Sequence, residues 1–449
     1  MQSNKMKDMK ISKLLFQMSI PAIFSMLIQS LYNVIDTMFI ANFSPDKGVE
    51  ALSIAFPFQM IILAIFLGVS IGSNAQIAKK LGAGKIDEAS DTAKNGIFLT
   101  FLVIFFFLIV GLILPKHFVS LFSKDPEIIK MSSTYLTIIS TCCFGMGLQI
   151  MFEKILQATG NMKQAMITQL IGAITNIILD PILIFGAHMG ITGAAIATIA
   201  GQLLGMLYAF SIFVLKKQDV DINIFRNFKP SFEIDKKIFR VGIPTMFMNS
   251  INSITVTIMN GILGAYPYGI SLLGIYFKLQ SFVFMPVFGL LQGALPIMSY
   301  NFGYRNKERF QETRKLATIT SFIIMIIGLL IFQLIPGVFL DMFKVNPEAK
   351  KYGEICLRII SLSFIPAALN ITSTTTCQSI GKGVMGLVMS CLRQVIILLP
   401  TAFLLAKFTS LNYTWLCYPI SEVVTMIVFI PLSIKVVHNK FNQFTKKEA

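Results

Sequence analysis

Two aspartates lie inside stretches otherwise built of apolar residues. Asp36 belongs to Asn33-Val34-Ile35-Asp36-Thr37-Met38-Phe39-Ile40, which closes an apolar run that starts near Ile11. Asp180 belongs to Asn176-Ile177-Ile178-Leu179-Asp180-Pro181. A carboxylate away from water is expensive to keep, so each marks a functional position with a partner to be found. Asn176 stands one helical turn before Asp180 on the same face, because residues i and i+4 stack. Thr198 adds a hydroxyl from the next apolar stretch. Two carboxylates in one low-dielectric pocket do not both ionise comfortably. Either one takes up a proton or a cation sits between them. Carboxylate, amide and hydroxyl oxygens are hard ligands that suit Na⁺, and the same cluster would hold H⁺. The competing reading is structural: each aspartate is satisfied separately by a helix end or a neighbouring amide, and Asp180, before Pro181, could be a local cap. Two acids at matched depth, with Asn176 and Thr198 beside them, favour the shared site.

The chain that must position these groups is 55% hydrophobic and 13% charged, with a mean hydropathy of +0.72. A soluble domain carries about 25% charged residues. Apolar runs long enough to span a bilayer recur from end to end, and the alternating short segments of a β-barrel are not evident. The fold class is an all-α polytopic membrane protein. Expected spans are 11–40, 50–80, 95–114, 132–157, 162–186, 190–215, 238–262, 271–302, 315–336, 353–380, 384–406 and 412–437. The first apolar segment is too long for a signal-peptide core and reads as a retained helix. Twelve spans place both termini on one side. Most of the 38 Lys and Arg fall in loops on that side, which the positive-inside rule makes cytoplasmic. The net charge of +16 therefore reflects topology, and no nucleic-acid partner is expected. Cys142, Cys143, Cys356, Cys377, Cys391 and Cys417 lie in or beside apolar runs without metal-ligand spacing and read as buried thiols.

The polar segment Lys216–Lys237 divides the chain into an N-terminal half (1–217), a linker (218–237) and a C-terminal half (238–449). The halves resemble each other at a nearly constant offset. Gly68, Gly72 and Gly82 meet Gly289, Gly293 and Gly303; Pro126-Glu127 meets Pro347-Glu348; Gln157 and Gly160 meet Gln378 and Gly381; Ile20-Pro21 meets Ile243-Pro244. An even number of spans per repeat makes the repeats parallel, with substrate expected in the cleft between them. The second repeat lacks the acids, since Met259 and Thr401 stand at the positions of Asp36 and Asp180. At helical rise Asp36 lies ~6 Å, Asp180 ~9 Å and Thr198 ~12 Å from the outer helix ends, so their depths allow one site. Pro21 can kink the first helix. Glu153 beside Lys154, Lys278, and Glu422 are embedded charges that could line the cleft or form local pairs.

Ser19-Ile20-Pro21, Ile35-Asp36-Thr37-Met38-Phe39, the Gly82-Ala83-Gly84-Lys85 loop, Leu156-Gln157-Ala158-Thr159-Gly160-Asn161, Phe284-Met285-Pro286 with Gly289, and Tyr418-Pro419-Ile420-Ser421-Glu422 occur together and in order. In these pieces the chain resembles the multidrug and toxic compound extrusion (MATE) family of cation-coupled exporters, in its bacterial branch, over nearly its whole length. The resemblance implies two parallel six-helix repeats in a V-shaped, two-lobed transporter. It implies alternating access, and export of lipophilic, often cationic, drugs against inward Na⁺ or H⁺. The family's N-lobe cation pattern matches Asp36, Asn176, Asp180 and Thr198, and Tyr32 matches a polar neighbour of that site. Asn33 and Gln202 are further supporting or cavity candidates. No enzyme activity and no cofactor beyond the coupling ion are expected, and the expected unit is a monomer in the lipid bilayer of the cell membrane. The alternatives are a lipid-linked precursor flippase, which would need a strongly basic cleft where only Lys278 and Arg393 are candidates, and an intramembrane enzyme. The latter is disfavoured because His117, His188 and His438 do not cluster.

Overall fold

The computed structural model describes residues 3–43, 47–216, 218–224, 228–343 and 345–445. Within its helices, nothing is stated of the side chains of 3–5, 32–34, 36–38, 40–43, 49 and 444–445. The described chain is helical. A short α1 (Ser3–Asp8) precedes α2 (Ile11–Phe43), α3 (Lys47–Gly82) and α4 (Ile86–Ser120). Then come α5 (Pro126–Thr141), α6 (Phe144–Ala158), α7 (Met162–Pro181) and α8 (Gly190–Leu215). The second half holds α9 (Phe232–Leu263), α10 (Gly269–Gly303), α11 (Lys307–Leu334), α12 (Pro336–Met342), α13 (Pro347–Ser361) and α14 (Phe364–Ser379). It ends with α15 (Gly383–Cys391), α16 (Leu399–Phe408), α17 (Leu411–Thr414) and α18 (Cys417–Thr445).

Among the described residues, nine helical segments are by themselves long and apolar enough to cross a membrane. Two bent pairs, α5–α6 at 47° and α13–α14 at 44°, raise the count to eleven. The remaining expected span is α9, 32 residues long. Asn249, Asn252, Ser253 and Thr257 dilute its hydropathy. They lie on one face and are exposed. A polar stripe on a membrane helix belongs against a wet cleft rather than lipid. The helix also begins at Phe232, so the last six residues of the expected linker are its first turns. The preceding described linker residues are tied to α4: Lys94 pairs with Asp221 at 2.9 Å, and the Ser231 N–H donates to Asn95 Oδ1 at 2.9 Å.

The repeat is visible in matching irregularities. Both halves carry a bent pair as their fourth span, and each has a π-helical stretch in its fifth, at Ile182–Gly186 and at Leu392–Leu398. Proline explains both stretches. Pro181 and Pro400 have no N–H to give to the regular ladder, so the bonding slips outward by one residue nearby.

The lobes meet through glycines. A Cβ on Gly68 would come within 2.7 Å of the Gly242 carbonyl, and one on Gly72 would collide with the Ile238 carbonyl, which seats α3 on α9. By the same construction Gly289 and Gly293 seat α10 on α2 at Ile23 and Ser19, where Ser19 Oγ donates to the Leu290 carbonyl at 3.1 Å. At the ends of α3 and α10 the contact is reciprocal: Gly82 abuts the Tyr300 carbonyl, and Gly303 abuts that of Lys79. All these contacts lie toward the side that carries the termini. There, Arg309 Nη2 donates to the carbonyls of Met6 (3.0 Å) and Met9 (2.8 Å), and Phe441 packs on Phe302 and Phe310. Both ends of the described chain thus gather at one face.

Candidate functional site

α7 carries Asn176 and Asp180 one turn apart, and α8 packs against α7 with Thr198 facing them. Small residues permit this approach, because a Cβ on Gly201 would fall 2.5 Å from the Gly172 carbonyl. Asp180 is wholly buried, Asn176 is 3% and Thr198 is 7% exposed. The Asn176 carboxamide spans the other two. With its nitrogen toward the acid it donates to Asp180 Oδ2 at 3.2 Å, while its oxygen accepts the Thr198 backbone N–H at 3.3 Å. In the opposite orientation the side-chain hydroxyl of Thr198 lies 3.3 Å from the amide nitrogen. A buried carboxylate, an amide and a hydroxyl therefore share one pocket between α7 and α8. Asp180 accepts from the amide of Asn176, one turn before it on the same helix, and Asn176 in turn reaches Thr198 on α8.

Asp36, Tyr32 and Asn33 lie outside the described side chains, although their backbone is part of α2. α2 runs beside α7. Gln169 Nε2 donates to Gln29 Oε1 at 2.9 Å, and farther out the Phe39 ring meets Phe185 edge-on at 6.2 Å. Pro21 sits inside α2, which is helical without interruption from Ile11 to Phe43. Gln202 is half-buried on α8, one turn beyond Thr198.

The other embedded charges have settled partners. Glu153 accepts from Gln149 Nε2 at 3.2 Å, while the hydrogen bonds of Lys154 Nζ go to Gln157 and Gln292, both at 2.9 Å. Each of the two neighbours thus meets an amide. Lys278 lies over the Phe343 ring, 5.8 Å from its centroid. Glu422 is paired with Arg393 at 2.9 Å and accepts from Asn370 Nδ2 at 2.7 Å. Both candidate cations for a basic cleft are therefore engaged within the second half. Removing one partner of a buried ion pair costs about 3–5 kcal/mol. Arg393 keeps 20% of its side chain accessible, so Glu422→Ala is expected to cost the lower part of that range. A fall in melting temperature with an unchanged substrate profile would fit the pairing. A changed profile at unchanged stability would place Glu422 on the cleft wall instead. The six cysteines are free, four of them buried.

Gln149, Asn370 and Gln292 are the contributors that sequence reasoning missed. Gln149 leaves one trace: Gly172 and Gly205 clear a slot for its amide, which lies 2.9 Å from where a Gly205 Cβ would be. Among the described residues no cluster of three or more His, Cys, Asp or Glu could hold a metal ion.

The MatE family model matches this chain twice, over residues 21–182 and 243–404, with the second match displaced equally at both ends. The chain is 24% identical over 444 residues to "Multidrug export protein MepA" of Staphylococcus haemolyticus (strain JCSC1435), covering 99% of this chain and 97% of that protein. It is 26% identical over 412 residues to the protein of the same name from Staphylococcus aureus (strain bovine RF122 / ET3-1), covering 90% of each. Among solved structures it is similar to the outward-facing conformation of a multidrug resistance MATE family transporter of the MOP superfamily. The TM-score is 0.93 at 22% identity, over 97% of this chain and 98% of that one.

Proposed function

The chain belongs to the MatE family, and from that premise we propose that it is a secondary multidrug exporter driven by a cation bound in its N-terminal lobe. The lobes are residues 1–217 and 238–449, with 218–237 as a cytoplasmic linker, and the face that gathers the termini is cytoplasmic. One observation carries the reading: Asn176 joins buried Asp180 to Thr198. The packing of α2 on α7 supplies the fourth member. Gln29 meets Gln169, Phe39 meets Phe185, and position 36 falls between them in proportion to where Asp180 falls on α7. Positions 29, 36 and 39 share one helix face. We place the coupling ion, Na⁺ or H⁺, between Asp180 and Asp36, whose side chain lies outside the described ones.

The cation enters the N-lobe cluster from outside and favours the turn from outward-open to inward-open. A lipophilic, cationic drug binds in the cleft, along the polar stripe of α9. Each ligand moves the lobes only through its differential affinity for the two states. The working unit is a monomer. Dye efflux from proteoliposomes, with Na⁺ and pH gradients imposed separately, tests this. One gradient is expected to drive uphill efflux; equal efflux with neither gradient would overturn coupling.

A further inference from the structure

Lys154 projects from α6 into the interface between the lobes and is 6% exposed. Its ammonium donates to Gln157 Oε1 in its own lobe and to Gln292 Oε1 on α10 of the other, each at 2.9 Å. Gln157 Nε2 also reaches Gln292 Oε1, at 3.5 Å. The backbone beneath is fixed, since Asn74 Nδ2 on α3 donates to the Lys154 carbonyl at 2.7 Å. A buried ammonium is costly unless its protons are all directed at acceptors. Here one of those acceptors belongs to the opposite lobe, one residue before Gly293, where α10 seats on α2. The equivalent of Lys154 in the second repeat is Thr375, and Gln378, the equivalent of Gln157, donates to Thr245 of its own lobe. At this pair of equivalent positions a charge thus stands in one lobe only.

We propose that Lys154 is a positioning residue for transport: through Gln292 it pins the cytoplasmic interface shut in the outward-open state, and breaking that pin is part of every turn to the inward-open state. The pin rests on the alternating-access reading above, but its own test needs no transported drug. Opening the interface removes Gln292 and admits water, which re-solvates the ammonium. The contact therefore favours closure without making it irreversible.

The experiment places nitroxide labels at Asp87→Cys and Glu308→Cys, exposed positions on the cytoplasmic ends of the two lobes, in a chain whose six native cysteines are replaced. Double electron–electron resonance reads the closed and open populations. Lys154→Met and Gln292→Leu are each expected to lower the closed-to-open ratio about fivefold or more, and the double variant to lower it no further, because both remove one contact. Lys154→Arg keeps the charge and restores part of the closed population. Gln292→Glu puts a carboxylate opposite the ammonium and is expected to act in the other direction, raising the closed population and slowing turnover. An unchanged ratio in Lys154→Met, additive shifts in the double variant, or an opened interface in Gln292→Glu would each overturn the pin. The expected distance shifts together with no gradient-driven efflux from the unsubstituted chain would leave the pin standing and count against the exporter reading instead.

Discussion

Asp180→Asn is expected to leave the folded protein in the membrane and to cut gradient-driven efflux by about tenfold or more. The side chain is wholly buried, so the substitution removes a charge that solvent does not reach. Asparagine has nearly the same shape, and its oxygen can still accept from Asn176 across the 3.2 Å contact. Packing between α7 and α8 is therefore kept, and with it the melting temperature. What is lost is the negative charge that the proposed coupling site depends on. Coupling between two ligands is typically about 1–3 kcal/mol, or 5–150-fold in affinity, which sets the size of the expected loss. Drug binding at equilibrium should change little, because the cleft is a separate site. The measurement is the initial efflux rate from proteoliposomes at matched protein content, alongside thermal unfolding. Wild-type rates in this variant would sink the cation-site reading, whatever the family.

How far the residues alone led can be traced through this site. Asn176 and Asp180 were legible as one face because helical spacing fixes them relative to each other, whatever the tertiary fold. Thr198 was legible only in depth. Its lateral approach depends on Gly172 and Gly201, whose backbones nearly touch, and a glycine's neighbours are not written in its own helix. Glu153 and Lys154 show the reverse. Adjacency suggested a pair, but neighbouring residues on a helix point about 100° apart, and each found an amide instead. The sequence marks α9 as a span although its apolarity alone falls short of one, because composition averages over faces and the polar stripe of α9 shares its helix with a buried one that includes Thr255, Met259 and Leu263. The proline-linked π stretches were beyond reach, since the residues that mark them also mark ordinary kinks.

Gly303→Ala and Gly82→Ala should impair export while leaving the cation cluster intact, because they act where the lobes close. A Cβ on Gly303 would land on the Lys79 carbonyl oxygen, and one on Gly82 on the Tyr300 carbonyl oxygen. Neither obstacle can swing away, since both are backbone within a helix. Neither glycine has the positive φ that would make alanine strained in its own right. The interface must therefore open for the methyl group to fit. Overpacking of this kind costs about 1–3 kcal/mol, which lowers the closed-to-open ratio by roughly 5–150-fold at either position. The two contacts are reciprocal, so the double variant should shift the ratio less than the two single effects combined: once the ends of α3 and α10 have parted for one methyl, the second has room. Gly274→Ala is the control, because a Cβ there meets nothing within 4 Å. The same labelled pair at Asp87→Cys and Glu308→Cys reads the shift, and efflux reads its consequence. Export should fall in step with the closed population, since a chain that cannot seal its cytoplasmic side cannot present the cleft outward. A sealed interface with wild-type efflux in Gly303→Ala would show that the turn between states does not pass through this contact.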